Sequence, residues 1–252
     1  MNEQRKLENK IAVITGGSSG IGLATARLFH QHGSQLVLAA RDRDKLSIAA
    51  AELGDRVHTV ACDLSTLAGI GQLTQTVDDH YGYLDILFAN AGVAHAPDIR
   101  DVDESTFDRY INANIKSAFF TVTSALDMLH DNASVILTSS AAHNHGRLGD
   151  PLYTLTKAAV ASLARTLAAD EQLLSRGIRV NSLSPGPIRT PLTTFNDPAT
   201  AQAMDDYITT TVPMHRMGTA DEAARAALYL AGPDSTYTTG SDLPVDGGLA
   251  QL

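Results

Sequence analysis

The sequence contains almost no cysteine. Cys62 is the one cysteine among 252 residues, so the chain can form no internal disulfide and no cysteine-rich metal site. Because Cys62 closes the apolar run "VHTVAC", we expect it to end a buried strand as a small hydrophobic residue.

Positive charge is also scarce. Lysine and arginine total 19 against 28 acidic residues, which gives a formal net charge of −9. This balance argues against nucleic acid or an anionic membrane as a standing partner. It does not argue against an anionic small ligand, because local rather than net charge decides the binding of such a ligand.

A long hydrophobic segment is missing as well. No apolar run approaches the ~18 residues that a membrane-spanning helix needs. The N-terminal stretch "MNEQRKLENK" lacks the apolar centre of a signal peptide. We therefore expect a cytoplasmic protein that binds no membrane.

Seven short apolar runs, rich in β-branched residues, recur along the chain. Their sequences are KIAVIT, QLVLAA, RVHTVAC, LDILFA, SVILTSS, IRVNSLS and DLPVDGG. Most are nearly continuous hydrophobic runs, as in strands buried on both faces, and longer helical patterns such as "GLATARLFHQHG" separate them. The alternation predicts right-handed βαβ units, and hence a doubly wound α/β fold with a seven-stranded parallel sheet and helices on both faces.

No feature of the sequence divides this fold into parts. The chain has no Pro/Gly/Ser-rich linker, charge block or internal repeat, so we expect residues 1–252 to form a single domain. The segment 191–217 is long for a connection in a compact domain and is a candidate lid over the substrate. The alternative for this segment is a helical surface insertion without a catalytic part.

A glycine-rich turn follows the first apolar run. In "TGGSSGIG" (15–22), Gly16, Gly20 and Gly22 have the spacing G-x-x-x-G-x-G, which differs from the common G-x-G-x-x-G fingerprint. The context of strand, tight turn and helix start is nevertheless that of a dinucleotide site. Glycines let the backbone approach a pyrophosphate, and the helix N-terminus stabilises the anion. We therefore predict a Rossmann-type dinucleotide-binding domain.

The end of the second apolar run indicates which dinucleotide binds. An NAD site places an acidic residue there to bind the ribose 2′-hydroxyl, but in "LVLAARDRD" Ala40 holds this position and Arg41 follows. A guanidinium can pair with a 2′-phosphate, so NADP(H) is preferred over NAD(H). If the ribose-binding position lies two residues further along the chain, Asp42 becomes the acidic residue that binds the ribose. Arg43 offers a second positive charge.

The stretch "PLYTLTKAAVASLARTLAAD" (151–170) predicts a helix that carries Tyr153 and Lys157 four residues apart. Residues at this spacing share one helix face, so the phenol and the ammonium can lie side by side. Taken alone, the pair also fits a surface tyrosine beside a solvated lysine. Small and apolar residues between Leu152 and Leu174 spread wider than one core-facing stripe, which favours contact with another subunit over one buried helix in a monomer.

Eight motifs, taken together and in order, carry a family resemblance. They are TGGSSGIG (15–22), CDL (62–64), ANAG (89–92), INANIKSAFF (111–120), ILTSS (136–140), YTLTK (153–157), SPGPIRTP (184–191) and VDGG (245–248). In this order and spacing, the chain resembles the short-chain dehydrogenase/reductase family over nearly its whole length.

The resemblance implies a catalytic tetrad of Asn114, Ser140, Tyr153 and Lys157. Tyr153 matches the family's proton donor and acceptor, and Ser140 matches the serine that donates a hydrogen bond to the carbonyl oxygen. Lys157 matches the lysine that holds the nicotinamide ribose, and its charge should lower the phenol pKa. Asn114 matches the helix asparagine, which would fix a water that leads protons towards Lys157.

The resemblance also implies the cofactor-binding residues. They are Gly16, Ser18, Ser19, Gly20, Ile21 and Gly22 in the glycine turn, Arg41 at the phosphate, Asp63 and Leu64 at the adenine, Asn90, Ala91 and Gly92 along the central sheet, and Pro185, Gly186, Ile188 and Thr190 at the nicotinamide, together with Tyr153 and Lys157. Ser139 and Asn112, which are near neighbours of the tetrad, fit the family spacing less well.

The implied activity is hydride transfer between NADP(H) and a small ketone or secondary alcohol, carried out by a homotetramer, with a dimer as the next alternative. A 3-oxoacyl-thioester reductase acting on an acyl-carrier protein has the same motifs, but the scattered basic residues favour small molecules. A non-catalytic regulator that senses NADP is a further alternative, although the tetrad is complete. In "AHNHGRLGD" (142–150), His143 and His145 lack a clear third ligand, so we expect no metal there and a loop lining the pocket mouth.

Overall fold

A parallel β-sheet forms the centre of the molecule. The computed structural model describes residues 5–95, 97–144, 150–194 and 197–252. The strands are β1 (Ile11–Thr15), β2 (Gln35–Ala40), β3 (Val57–Ala61), β4 (Leu84–Ala89), β5 (Leu129–Thr138), β6 (Arg179–Pro185), β7 (Ile188–Arg189), β8 (Gly218–Thr219) and β9 (Asp242–Val245). Seven of them form one sheet in the order β3-β2-β1-β4-β5-β6-β9, and β7 pairs with β8 separately. The predicted seven-stranded parallel sheet is confirmed.

Helices connect the strands. They are α1 (Gly20–Gln31), α2 (Arg43–Leu53), α3 (Leu67–Tyr81), α4 (Glu104–Tyr110), α5 (Ser117–Ala125), α6 (Pro151–Ala168), α7 (Glu171–Ser175), α8 (Pro198–Thr211) and α9 (Ala220–Ala231). A π-helical turn, Ile111–Lys116, joins α4 to α5. In the parts of the chain that the structure describes, no helix has both the length and the apolar character needed to cross a membrane.

Each face of the sheet carries its own apolar cluster, because successive strand side chains point to opposite faces. The cluster on one face contains Val13 and residues of α3, α5 and α6. The cluster on the other face contains Ile14 and residues of α1, α2 and α9. Burial on both faces explains the near-continuous hydrophobicity of the inner strands, whereas the edge strands β3 and β9 are partly exposed.

The strand order reverses next to β1. From β1 the chain builds β2 and β3 towards one edge of the sheet, and it then returns to place β4 on the other side of β1. The loops that follow β1 and β4 therefore diverge and leave a crevice at the carboxyl ends of the strands. This crevice holds the site described below.

Two local features can be compared with the sequence predictions. The helical pattern between Leu152 and Leu174 is interrupted: α6 ends at Ala168, and Asp170 caps the separate helix α7 with its side chain. Cys62 follows β3 directly and is buried, and burial raises the pKa of its thiol to about 11. Cys62 is thus buried as a small hydrophobic residue, as expected, but the strand before it is a partly exposed edge strand instead of a buried one.

Candidate active site

The crevice opens into a cavity of about 510 Å³. Most of the predicted site residues line it: Gly16, Ser19, Gly20, Ile21, Asn90, Ala91, Gly92, Ser140, Tyr153, Lys157, Pro185, Gly186, Ile188 and Thr190. The remaining predicted residues, which do not line it, are Ser18, Gly22, Arg41, Asp63, Leu64 and Asn114. The structure thus brings residues from distant motifs into one site.

Close backbone contacts shape the glycine turn after β1. Gly16 and Gly20 have positive φ angles of 67° and 53°, which glycine adopts without steric strain. A Cβ on Gly22 would lie 2.2 Å from the carbonyl oxygen of Gly16, so α1 can approach the turn only because residue 22 has no side chain. The cap residue Ser19 makes no side-chain hydrogen bond to the start of α1, which leaves the first N–H groups available to an anion.

Asn90 fixes the loop after β4 against β1 and β5. The N–H groups of Asn90 and Ala91 donate to Thr15 Oγ1 over 2.8 and 2.9 Å. The side chain of Asn90 donates to the main-chain oxygen of Thr15 and accepts from Thr138 Oγ1. Three neighbouring strand ends are held together in this way, which places Ala91 and Gly92 in the cavity wall.

The residues after β2 bear on the expected choice of dinucleotide. Ala40 is the last residue of β2, and Arg41 follows it with an exposed side chain. Asp42 accepts a hydrogen bond from the N–H of Lys45 over 3.0 Å and caps α2. The Asp42 carboxylate is therefore engaged at the start of α2.

Asp63, predicted to lie near the adenine, is a neighbour of Arg41 in space. The N–H and the hydroxyl of Ser65 donate to the Asp63 carboxylate over 3.0 and 2.8 Å. These hydrogen bonds and the positive charge of Arg41 hold the pKa of Asp63 below its ordinary value. Leu64 beside it is buried.

Two adjacent serines follow β5, and the structure gives them different partners. Ser139 is 1% exposed, and its Oγ donates to the main-chain oxygen of Lys157 over 2.9 Å. Ser140 Oγ accepts from the N–H of Ala142 over 3.2 Å, and the Ser140 side chain is near enough to the phenol of Tyr153 to act on its pKa. The serine that meets the phenol is therefore Ser140, in agreement with the family spacing.

Tyr153 and Lys157 lie in the first turns of α6, which begins with Pro151 after the capping side chain of Asp150. Lys157 Nζ lies 5.7 Å from the centre of the Tyr153 ring and donates to the main-chain oxygen of Thr138 over 2.9 Å. Lys157 is buried, and burial lowers its pKa to about 8. The amine therefore remains mainly protonated at neutral pH.

Burial also acts on the phenol of Tyr153. It raises the pKa above the ordinary value of 10.0, the hydrogen bond with Ser140 opposes this effect, and the charges of Asp150 and Tyr110 add to the rise. The lowered pKa that we expected from the charge of Lys157 is not found: the net shift is upward and burial is its largest cause. A phenol in this state is a proton donor.

Asn114 lies in the π-helical turn, a feature that often marks functional sites. The N–H of Val93 donates to Asn114 Oδ1 over 2.8 Å, and Asn114 Nδ2 donates to Val93 O and to Thr156 Oγ1 over 3.0 and 2.9 Å. Both amide hydrogens are thus used to tie the loop after β4 to α6. A Cβ on Gly92 would lie 2.9 Å from Asn114 Oδ1 and 3.4 Å from Lys157 Nζ. The water that Asn114 would fix stays a prediction.

Comparison with known proteins identifies the family. A family model described as enoyl-(acyl carrier protein) reductase matches residues 16–250. The mitochondrial (−)-isopiperitenol/(−)-carveol dehydrogenase of Mentha piperita is 34% identical over 260 residues, which cover 100% of this chain and 97% of that protein. The chain belongs to the short-chain dehydrogenase/reductase family. The family predicted from the motifs is confirmed, and the chain is an oxidoreductase of that family.

Solved structures of short-chain dehydrogenases/reductases have the same fold. L-Sorbose reductase from Gluconobacter frateurii, complexed with NADPH and L-sorbose, has a TM-score of 0.90 and 30% identity, with 99% of each chain covered. The 3-ketoacyl-(acyl-carrier-protein) reductase from Brucella melitensis, complexed with NADH, has a TM-score of 0.87 and 31% identity, with 97% of this chain and 99% of that chain covered. Because one neighbour holds NADPH and the other NADH, similarity alone does not select the dinucleotide.

The cavity is also lined by residues outside the predicted site set, several of them in the segments 142–150 and 191–217 that we expected to border it. They include Val93, Ala94, His95, Ala142, Asp150, Thr154, Leu192, Thr193, Met204, Tyr207 and Leu249. Met204 and Tyr207 belong to α8, within the segment 191–217, and Leu249 belongs to the C-terminal turn. The helical spacing of Met204, Tyr207 and Ile208 was the available signal, but it does not say where α8 packs.

Of the two histidines in the segment 142–150, His143 lies among the described residues and His145 does not. His143 does not line the cavity, and its Nε2 lies 3.0 Å from Asp242 Oδ2. His145 lies outside the described residues, as do residues 146–149, while Ala142 and Asp150 at the two ends of the segment line the cavity. Across residues 5–95, 97–144, 150–194 and 197–252, no three His, Cys, Asp or Glu side chains form a group that could hold a metal.

Proposed function

We propose that this protein is an NADP(H)-dependent oxidoreductase that transfers a hydride between the cofactor and the carbonyl or carbinol carbon of a small ketone or secondary alcohol. The observation that carries the proposal is the convergence of Ser140, Tyr153 and Lys157 in one cavity with the glycine turn. In this convergence a proton donor, a hydrogen-bond donor and a buried cation face a space next to a dinucleotide-type turn.

The residues present fit a nicotinamide dinucleotide. The missing side chain at Gly22 lets the first turn of α1 approach the carbonyl of Gly16, and the uncapped helix start suits a pyrophosphate. A Cβ on Gly20 would lie 3.4 Å from the Thr190 side chain, so the glycine turn and the loop after β6 together bound a narrow cleft. We assign the pyrophosphate to the glycine turn and the nicotinamide to the loop after β6.

The chain supplies the proton chemistry, while the bound nicotinamide ring would supply or accept the hydride. Tyr153 donates its phenolic proton to the carbonyl oxygen in reduction and takes the hydroxyl proton in oxidation. Ser140 donates a hydrogen bond where charge develops on that oxygen. Lys157, mainly protonated at neutral pH, stabilises the phenolate that remains, and its burial keeps water away from the charge. The raised pKa of Tyr153 keeps its phenol protonated at neutral pH, which is the form that donates in ketone reduction.

Arg41 supports NADP(H) as the preferred cofactor. Its exposed guanidinium follows β2 at the point where a 2′-phosphate would lie, and the residue before it is Ala40 instead of an acid. The carboxylate of Asp42, which could favour NAD(H), caps α2. NAD(H) is therefore the less favoured cofactor.

The wall of the cavity supports a small, uncharged substrate. Beyond Ser140, Tyr153 and Lys157, one group of wall side chains is apolar (Val93, Ala94, Ala142, Leu192, Met204 and Leu249), and the polar ones include His95, Asp150, Thr154, Thr193 and Tyr207. Burying such a surface against an apolar ring or chain is favourable. A charged substrate group would lose its hydration against these six side chains without gaining a partner from them.

A 3-oxoacyl-thioester reductase is the second candidate. It is favoured by the likeness to the 3-ketoacyl-(acyl-carrier-protein) reductase from Brucella melitensis and by the apolar wall, which would also suit an acyl chain. A non-catalytic NADP-sensing role is disfavoured, because Ser140, Tyr153 and Lys157 keep a geometry suited to proton transfer.

Further proposals concern the organisation of the chain. We propose that residues 1–252 act as a single domain, that the segment 191–217 serves as a lid through α8, and that four copies assemble. The exposed apolar side chains of Phe107, Phe119 and Leu155 on α4, α5 and α6 support assembly, since they are 43%, 42% and 51% exposed. A cytoplasmic location and the lack of nucleic-acid or membrane partners stay predictions.

The substitution Tyr153→Phe tests the proposed function. The variant should lose at least about 10²-fold in turnover, since a positioned general acid contributes that much, and it should bind NADPH nearly as wild type does. The assay follows NADPH oxidation with a panel of small ketones and one 3-oxoacyl thioester. Tyr81→Phe, on α3 and away from the cavity, is the matched control. Equal turnover by the two variants would remove Tyr153 from the mechanism.

A further inference from the structure

A buried polar network lies directly behind Ser140. His143 belongs to the short 3₁₀ turn Ala141–Asn144 that follows Ser140, and its side chain is 7% exposed. His143 Nε2 lies 3.0 Å from Asp242 Oδ2 and 3.4 Å from Ser184 Oγ. His143 does not line the cavity, so it is not placed to touch substrate.

Asp242, the first residue of β9, is the centre of this network. Its Oδ1 accepts from the hydroxyls of Ser182 and Ser184 over 2.6 and 2.5 Å. Its Oδ2 accepts from His143 and, over 3.3 Å, from Asn144 Nδ2. Burial acts to raise the pKa of Asp242, but the hydrogen bonds from the two serines and from His143 hold it below its ordinary value. The carboxylate is therefore ionised and can only accept hydrogen bonds. In the His143–Asp242 contact the donor must then be His143, so its Nε2 carries a hydrogen atom.

The turn that contains His143 surrounds the polar atoms of Ser140. The N–H of Ala142 donates to Ser140 Oγ over 3.2 Å, and the N–H of His143 donates to Ser140 O over 3.2 Å. Each of these contacts comes from the turn itself, and none anchors the turn to the sheet. The buried side chain of His143 supplies the shorter of the two hydrogen bonds that anchor the turn to Asp242 on the last strand of the sheet, and exposed Asn144 supplies the longer one.

The same network reaches two other parts of the cavity wall. Ser182 and Ser184 lie on β6, which continues into Gly186 at the expected nicotinamide position. Asp242 starts β9, which leads to the C-terminal turn with Leu249 in the cavity wall. One buried carboxylate thus joins the serine turn to the strands that carry two other walls.

We propose that His143 is a positioning residue for Ser140: by donating its Nε2–H to Asp242, it fixes the turn 141–144 and so directs Ser140 Oγ towards the phenol of Tyr153. The proposal rests on the proposed function, because it assumes that Ser140 takes part in the reaction. Hydrogen bonds that stabilise developing charge work only when the donor is held in place before the reaction. A turn without this anchor would leave Ser140 free to adopt other rotamers.

A double-mutant cycle between His143 and Ser140 tests the proposal. His143→Leu keeps similar bulk but removes the donor, whereas His143→Gln retains an N–H that can reach Asp242. Asn144→Ala, which removes the longer and more exposed hydrogen bond to the same carboxylate, is the matched control. Each change is made with and without Ser140→Ala, and kcat for ketone reduction is measured together with the Kd of NADPH.

We expect His143→Leu to lower kcat by about tenfold, with the Kd of NADPH unchanged, and both His143→Gln and Asn144→Ala to stay near wild type. Ser140→Ala should lower kcat by about 10²-fold in the wild-type background, as the loss of a preorganised donor does. In the His143→Leu background the same change should cost only about tenfold, because His143→Leu has already removed the other tenfold of the serine's contribution. Such non-additivity is the sign that two residues act together.

Multiplicative losses, or a wild-type kcat in His143→Leu, would overturn the proposal and leave the proposed function intact. A harmless Ser140→Ala would overturn both, which separates the two failures. If far-UV circular dichroism shows that His143→Leu is unfolded, the same cycle is run with Asp242→Asn, which removes the charge of the acceptor and keeps its shape. The same coupling with Ser140→Ala supports the proposal, and its absence overturns it.

Discussion

Arg41 is expected to decide the choice of dinucleotide, and the substitution Arg41→Gln tests this directly. Gln is neutral and keeps a polar side chain at an exposed position, so the fold should not change. The variant loses one charge-assisted contact with a 2′-phosphate while it keeps every residue of the cavity. NADPH should bind more weakly as a result, and NADH should be nearly unaffected.

The expected magnitude follows from the exposure of Arg41. A hydrogen bond to a charged group contributes about 1.5–3 kcal/mol, and solvent screening at an exposed position places Arg41 at the lower end of that range. Since ~1.4 kcal/mol is tenfold in affinity, kcat/KM for NADPH should fall about tenfold. Adding Ala40→Asp should reduce it further and raise kcat/KM for NADH, because a carboxylate can accept from both ribose hydroxyls and repels the 2′-phosphate.

The assay is kcat/KM for both dinucleotides at low and high ionic strength. The NADPH preference of the wild type should decline with salt, since an exposed charge pair is screened. Arg43→Gln is the matched control, because Arg43 is also exposed and lies two residues further on. Asp42→Ser is the second control: serine still caps α2, so the choice of dinucleotide should not change.

Three results would refute this reasoning. A wild type that prefers NADH would remove the assignment of Arg41 to the 2′-phosphate. An equal effect of Arg43→Gln would mean that general positive charge, rather than the position after β2, governs the preference. A loss of NADH turnover in Asp42→Ser would identify Asp42 as the ribose ligand.

Two further predictions concern Lys157 and assembly. Lys157 has a pKa of about 8 in the folded protein against 10.5 ordinarily, so between these values the unfolded chain binds more protons and stability rises with pH. The unfolding free energy of wild type minus that of Lys157→Met should therefore increase from pH 8 to 10.5, and a flat difference in urea titrations would contradict the depressed pKa. Light scattering at micromolar concentration should give a mass well above the 26.7 kDa of one chain. The substitution Phe119→Asp, on the exposed face of α5, should lower the measured mass. A monomeric wild type would contradict the proposed assembly.

The features of the fold and the site that can be predicted from the sequence depend on local patterns. Continuous apolar runs separated by helical ones specify buried parallel strands, because only strands covered on both faces need such runs. The glycine turn is equally local, since the positive φ of Gly16 and Gly20 and the close approach at Gly22 are requirements of a few neighbouring residues. The four-residue spacing of Tyr153 and Lys157 sets them on one face of α6 for the same reason.

Other properties were decided only by the tertiary structure. His143 and Asp242 are 99 residues apart in sequence, and no periodicity links them; they meet because the turn after β5 packs against β9. Met204 and Leu249 form a cavity wall only because α8 and the C-terminal turn pack together. The direction of the Tyr153 pKa was also beyond the sequence, because the motif states which charge lies nearby but not how far burial removes the phenol from water. Desolvation and long-range contact depend on how distant segments pack, and a local pattern contains no information on that packing.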